Sequence, residues 1–489
     1  MYRIDPTWWR HSHALGETVI AGSPVRIFRF SPSAATFLDQ LEAGGDVDST
    51  TSSLQVRLVE AGAIHPIPDD DMPGPATLED VTVVIPAHVH DVNTVRNLVA
   101  SLPMVADIVV VDDASPNPLE AIPRARIVRN DIALGPAAAR NIALKEVRTE
   151  FVLFLDHDIT CPTGTGASIS ETRTSETLTS QFVTSQFVTS QFVSSWNSLL
   201  FHMRDCRTAI VAPRVLSRPG PTSLERFEVD NSPLDMGPHP ARVAPGSRLT
   251  YVPTAALLIR MQSLRDLDGF DETLRYGEDV DFVWRAHAKG LICRYEPTVV
   301  VFHEPRSKWS SLLRQRFHYG TAAANLEARH PGVTRPIRMN TWSAVVLSLA
   351  ISGHPIVATG VAASTVARLA QRLHDVPDRW LLAWRIAGRG HLFAARMTLE
   401  AACRTWWPIT LVSCAVSRRF RRLIGIYVLA RSLDASLHRS DDGSRPDSEA
   451  LDIVRSTFAK FGDDIAYGTG VWAGAMSNKK SDCLRPRFD

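Results

Sequence analysis

The 489-residue sequence lacks a charge excess of either sign, with 53 Lys and Arg against 52 Asp and Glu and a net charge of +1. That balance excludes a uniformly basic protein, so no nucleic-acid partner is expected, although a balanced total can hide opposite local excesses. Cysteine is scarce and scattered. Cys161, Cys206, Cys293, Cys403, Cys414 and Cys483 form no C-x-x-C and no short pattern, so neither a disulfide framework nor a zinc site is expected. Reduced thiols of a cytoplasmic protein are the natural reading. The first residues, MYRIDPTWWRHSH, lack the continuous apolar stretch of a signal peptide, so no secretory route is expected. What is present, 45% hydrophobic and 21% charged residues, is the composition of a globular chain of about two to four domains.

Three blocks follow one another. In residues 1–75, alternating runs at Thr18–Ala21 and Pro24–Phe30 read as strands. They precede a helix that Ser31 could cap, with Phe37, Leu38 and Leu41 on one face, and a second short helix, LQVRLVEAGAI, that ends at Gly62. This predicts a small winged-helix-like α+β module, whose helical segment resembles the peptide-chaperone domains that accompany peptide-derived cofactor pathways, or, more plainly, a packing extension.

After the acidic linker Asp69–Asp80, three short β-branched runs, Val81–Pro86, Asp107–Ser115 and Phe151–Asp158, alternate with helical stretches at Asn93–Ser101 and Gly135–Val147. Such βαβ units predict an α/β domain with a mostly parallel sheet buried on both faces, over about residues 78–330. Ligands then sit beyond the carboxyl ends of the strands. Those ends carry Asp112-Asp113 and Asp156-His157-Asp158. Carboxylates at i and i+2 of an extended segment point the same way and suit one hard divalent cation. Farther on, Glu278, Asp279 and Asp281 crowd the first turn of a helix that carries Trp284; they are either favourable helix-start acids or a general base with its neighbours.

The ordered set VTVVIPAH, IVVVDDAS, RNDIALGPAAARNIAL, FLDHDI, LDGFDETLRYGEDVDFVWR and VFHEP, over about Val81–Gly320, resembles the inverting family 2 glycosyltransferases with the GT-A fold. The resemblance implies that Pro86, Ala87 and His88 lie beside the nucleotide base, that Asp113 hydrogen-bonds that base with Asp112 behind it, and that Arg140 and Asn141 lie near the donor. It implies that Asp156 and Asp158 form the D-x-D pair that holds Mn²⁺ or Mg²⁺ against the sugar diphosphate, with His303 as a third metal ligand. Asp279 takes the place of the catalytic base, with Glu278 as the fallback. Arg314 and Arg316 could steady the diphosphate.

One departure stands out: residues 159–195 hold a Ser/Thr-rich insert with three near-identical copies, SQFVT, SQFVT and SQFVS, read here as a tolerated surface loop rather than a lid.

Residues 331–489 read as helical. Thr341–Ala367 has no charged residue but is diluted by Ser, Gly, Thr and His354-Pro355, a marginal span that could be broken in the middle or lie in the interface. Thr405–Ser417 is too short to span; it carries Trp406-Trp407 at one end and is followed by RRFRR at the other. Arg368–Arg431 holds 12 Arg, no Lys and three acids, which suits the anionic inner face of a cell membrane. The full layout resembles the glycosyltransferases of mycofactocin biosynthesis in actinobacteria, which implies UDP-glucose as donor and a peptide-derived redox cofactor as acceptor. The alternatives are a family 2 enzyme of cell-envelope polysaccharide or glycolipid assembly, and a silent nucleotide-sugar or peptide binder.

Overall fold

The apolar, largely β-branched runs fold as strands whose side chains are buried on both faces of a covered sheet. A computed structural model of the chain describes all residues except 14–15, 45–51, 69–75, 162–195, 375, 377, 442–449 and 489. The SQFVT copies, most of the insert and much of the acidic linker lie outside the described residues. Two units are formed, Met1–Ser307 and Lys308–Asp489.

In the first unit, strands β1 (Tyr2–Ile4), β2 (Trp9–His13), β3 (Gly16–Ala21) and β4 (Arg26–Phe30) are followed by helices α1 (Ala35–Glu42) and α2 (Ser52–Glu60) and strand β5 (Ile64–Pro66). β2, β3 and β4 form an antiparallel sheet, and β1 pairs with β5. Phe37, Leu38 and Leu41 of α1 are buried with Leu58 of α2 and Val19 of β3, as their spacing predicts. Ser31 starts a 3₁₀ turn rather than α1 itself, and its hydroxyl pairs with Ser33 instead of a backbone N–H. This module is seated on the following domain by polar contacts: Arg207 Nη1 lies 2.8 Å from Glu60 Oε1, and the Arg248 N–H donates to the Ser23 hydroxyl at 2.6 Å.

The large sheet is built from β6 (Val81–Ala87), β7 (Asp107–Asp113), β8 (Arg126–Asn130), β9 (Phe151–Leu155), β10 (Ile159–Thr160), β11 (Thr208–Ser217), β12 (Ala241–Val243), β13 (Ala256–Arg260) and β14 (Ile292–His303). Its order is β10-β14-β11-β13-β9-β6-β7-β8, with β12 on β14. β8, β7, β6 and β9 run parallel. β13 is antiparallel to both β9 and β11, so β11 and its parallel neighbour β14 again run with β9. That double reversal has one consequence for the site: the carboxyl ends of β7, β9 and β14 all open on the same edge. Helices α3 (Val92–Ser101), α4 (Pro136–Leu144) and α5 (Glu278–Ala288) pack around this sheet, and Val95, Leu98 and Val99 of α3 join its core. The mixed α/β domain with a mostly parallel sheet predicted from the three runs is what forms.

The second unit is helical. α6 (Trp309–Arg329) packs Ala323 and Ala324 against Val471 and Ala475 of the last long helix, and this pairing places the start of the unit at Lys308 rather than after residue 330. The uncharged run at Thr341–Ala367 is two helices, α7 (Thr341–Ile351) and α8 (Pro355–Arg372), broken at Ser352-Gly353-His354 where Pro355 starts the second. Among the described residues no helix is long and apolar enough to cross a membrane. The chain continues through α9 (Arg379–Ala383), α10 (Arg389–Arg404), α11 (Trp407–Val416), α12 (Arg418–Asp441) and α13 (Ala450–Ser477).

Candidate active site

The site is built at the shared strand edge. Asp156 follows β9 directly, and its N–H donates to the Ala255 carbonyl at 2.9 Å, which fixes the turn that carries Asp158. His303 ends β14 and stands in register with Ile159. Its Nε2 comes to 3.1 Å from Asp158 Oδ2. Burial alone would raise the Asp158 carboxyl, but the His303 hydrogen bond and charge outweigh it and hold Asp158 at about 2. For the same reason the imidazole is raised, although burial works against its charge.

A divalent cation with ligands at about 2.1 Å in octahedral geometry sets neighbouring ligand atoms about 3.0 Å apart. The Asp158–His303 spacing fits such an edge. No group of three or more His, Cys, Asp and Glu able to hold a metal occurs among the described residues, so diphosphate oxygens and water would have to complete the shell. Asp156, the other member of the expected pair, has one oxygen committed elsewhere.

That commitment is to Arg140, a buried residue of α4. Its Nη2 donates to Asp156 Oδ1 and its Nη1 to Glu278 Oε1, both at 2.9 Å, while the guanidinium lies 5.7 Å from the centre of the Phe270 ring. Burial opposes the Arg140 charge, and the two carboxylates hold it. One cation therefore ties the strand-edge acid Asp156 to the first turn of α5, where Asp279 stands next to Glu278. The Asp279 carboxyl is pushed up to about 7, first by loss of water around it and then by the charge of Glu278. Such a group can exchange a proton near neutral pH.

Several expected donor residues have other work. Asp112 is fully buried; it accepts from the N–H groups of Ser115 at 2.8 Å and Leu119 at 3.1 Å and pairs with Arg129, so it holds the loop after β7 rather than a ligand. Those bonds keep its carboxyl low although burial would raise it. Asp113 accepts from Asn130 at 2.8 Å and from the N–H groups of Leu134 and Gly135 at 2.9 and 2.8 Å, shaping the turn into α4. Pro86 and Ala87 are buried within β6, whereas His88 is exposed and its Nδ1 lies 2.8 Å from the Asp113 carbonyl.

Asn141 clasps a loop. Its amide donates to the Phe270 carbonyl and accepts from the Phe270 N–H, at 2.8 and 2.9 Å. Gly269, at φ +67°, lies so close that a Cβ there would come within 2.5 Å of Asn141 Oδ1. Arg285 of α5 secures the same loop, donating to the Gly269 carbonyl at 2.9 Å and to Asp281 at 2.6 Å. Sequence reading missed this supporting set, although the A-R-N and D-G-F segments that supply it were both in view.

Arg314 and Arg316 belong to the helical unit. Arg314 is exposed on α6, and Arg316 is buried with its Nε 2.5 Å from Asp463 Oδ1. The sequence reading of Arg316 as a donor ligand is therefore replaced by a structural ion pair.

A family model described as glycosyl transferase family 2 matches residues 82–166, and one described as glycosyl transferase family group 2 matches residues 187–416. Two proteins called pre-mycofactocin glycosyltransferase, from Mycobacterium tuberculosis strains CDC 1551 and H37Rv, are each 32% identical to this chain over 488 residues, covering 97% of it and 95% of the relative. The chain belongs to the pre-mycofactocin glycosyltransferase family. It is thus a family 2 glycosyltransferase, and the acidic strand edge is the candidate site of an enzyme of that family. Among solved structures, a mannosyltransferase from Pyrobaculum calidifontis in complex with GDP-Man and Mn²⁺ is similar with a TM-score of 0.37 at 15% identity, covering 83% of this chain and 95% of that one. GalNAc-T7 with UDP, GalNAc and Mn²⁺ is similar with a TM-score of 0.33 at 15% identity, covering 47% and 43%.

Proposed function

We propose that the enzyme transfers glucose from UDP-glucose to pre-mycofactocin, a peptide-derived acceptor, with inversion at the anomeric carbon and Asp279 as general base. The observation that carries this reading is the Arg140 bridge, which holds Asp156 at the strand edge and Glu278 beside Asp279, whose carboxyl is pushed up by loss of water and by the charge of Glu278. A base of ordinary carboxyl strength would hold a hydroxyl proton poorly in the transition state; one near 7 is matched to neutral pH. Asp279 takes the proton of the acceptor hydroxyl as its oxygen forms the bond to the anomeric carbon. The bond from that carbon to the diphosphate oxygen breaks on the opposite face, and UDP leaves with the electron pair. No covalent link to the protein is formed.

Asp158 and His303 would hold Mn²⁺ or Mg²⁺, with Asp156 beside them, and the ion when bound neutralises charge on the departing diphosphate. Arg140 keeps the two halves of the site in register, since it bonds to one acid from each. The N-terminal module would present the peptide part of the acceptor, and the enzyme would work in the cytoplasm at the inner membrane surface.

The test is UDP release from purified full-length protein with UDP-glucose, other sugar nucleotides, Mn²⁺ or Mg²⁺, and pre-mycofactocin. Acceptor-dependent release that is strongest with UDP-glucose, with a β-linked product from the α-linked donor, supports the reading. A retained anomeric configuration overturns the inverting mechanism, and acceptor-independent release overturns the assignment of the acceptor.

A further inference from the structure

Two helical turns of the second unit meet in space. A Cβ on Gly353 would come within 2.5 Å of Arg419 Nη1, which sets the α7–α8 turn against the start of α12. Arg421 donates to the Cys414 and Ala415 carbonyls and so closes the end of α11 next to the same place. Apolar side chains stand out from both turns where burial would be expected: Ile351, Ile356 and Val357 on the first, Val412 and Val416 on the second, with Ile356 87% and Val416 83% exposed. Beside them Arg418, Arg419, Arg421 and Arg422 are all exposed. Acids are missing over a long range, with none between Glu327 and Asp375 and none between Glu400 and Asp434.

We propose that these paired turns are a bilayer-docking surface, with Ile356 and Val416 entering the headgroup and acyl boundary of a membrane that bears anionic phospholipids, and the arginines pairing with its phosphates. The inference rests on the reading that the enzyme works at a membrane surface, and it names that surface. Exposed aliphatic tips beside exposed arginines, on stretches of chain that carry no acid, match an interface that is apolar below and negative at its edge. The guanidinium of Arg368, 5.1 Å from the Trp342 ring centre, adds an aromatic and cationic pair on the same two helices. A second copy of the chain fits less well. A two-fold contact at this point would set four arginines against four. With no helix among the described residues able to cross the membrane, attachment is from one side.

The test is flotation of purified full-length protein with vesicles of phosphatidylcholine alone and of phosphatidylcholine with phosphatidylglycerol. Wild type should rise with the anionic vesicles, weakly with the neutral ones, and be released by salt. Arg418→Gln and Arg422→Gln should each weaken binding about fivefold. Ile356→Asp combined with Val416→Asp should abolish it while leaving circular dichroism and the transfer rate to a dissolved acceptor unchanged, since all four side chains are exposed and none belongs to the catalytic site. If wild type fails to float with anionic vesicles, the membrane-surface reading falls and this surface with it. If wild type floats and the double Asp variant floats equally, the surface alone is overturned. A concentration-dependent dimer that the same substitutions dissolve would assign the surface to a second copy and overturn the proposal.

Discussion

Arg140 donates to Glu278 across 138 residues of chain, at 2.9 Å, and the same guanidinium holds Asp156. A buried cation between two acids fixes their separation better than either acid could alone. It also gives Glu278 a role distinct from the one proposed for Asp279. Glu278→Gln should therefore retain a measurable rate, about tenfold or more above that of Asp279→Asn, because the amide oxygen can still accept from Arg140. Arg140→Ala leaves two carboxylates uncompensated and should cost about 3 kcal/mol or more of stability. Parallel measurements of kcat and thermal unfolding check both; a Glu278→Gln rate below that of Asp279→Asn would exchange the two roles.

The raised carboxyl of Asp279 ties rate and stability to pH in opposite directions. Its proton is held up to about 7 in the folded protein against an ordinary 3.8, so kcat/KM should rise with pH through about 7 as the base is freed. Stability moves the other way. A raised carboxyl contributes fully below the unfolded value and loses that contribution as pH climbs through the folded one. Asp279→Asn should thus lower the rate about a hundredfold or more while melting a few degrees higher than wild type at pH 8. Equal melting temperatures at pH 8 would contradict the desolvated, charge-crowded carboxylate.

The strands, the parallel core and the acidic strand ends were legible because β-branched runs bounded by turn residues permit few alternatives. What the chain order could not give was partnership. Asp112 and Asp113 are adjacent in sequence, yet one is enclosed by Ser115, Leu119 and Arg129 and the other shapes the turn into α4. Arg316 lay within a segment that looked like a donor grip, but its partner, Asp463, comes from a helix more than a hundred residues away, and no local pattern encodes such a contact. The uncharged run at Thr341–Ala367 has the length of a span; Gly353 and Pro355 divide it, which composition hinted at and only the backbone decides.

His303 should make the need for metal pH-dependent. Asp158 raises its imidazole, so the proton competes with a cation for Nε2 increasingly as pH falls. The Mn²⁺ concentration for half-maximal rate should therefore rise between pH 8 and 6 in the wild type. In His303→Gln it should be higher throughout and change less with pH. A metal titration at the two pH values checks this, and identical curves for the two proteins would remove His303 from the ligand set.

The loop clasped by Asn141 leads from Gly269 to the helix that carries Asp279, the proposed base, so it links packing to rate. Asn141→Ala leaves the Phe270 N–H and carbonyl without their partner and should destabilise by about 1–3 kcal/mol. Gly269→Ala should be at least as harmful, because it adds both a left-handed strain and a clash with Asn141. Both should lower kcat more than they raise the KM for the nucleotide sugar if Asp279 is the base that the loop positions. Steady-state kinetics with thermal unfolding tests this; a loss confined to KM would place the loop at the donor instead.

The Arg316–Asp463 pair separates a structural arginine from a substrate-binding one. Arg316 is buried, and its two terminal nitrogens have no hydrogen-bond partner among the described residues, so Asp463 is the acceptor that its guanidinium depends on there. Asp463→Ala should cost about 3 kcal/mol by stranding that charge, while leaving the KM for the nucleotide sugar unchanged. Arg316→Gln should also leave KM within about twofold, whereas removing a direct bond between a guanidinium and a diphosphate would raise KM about tenfold or more. Measured on folded protein, a tenfold rise in KM for Arg316→Gln with no change in melting temperature would restore Arg316 to the donor site.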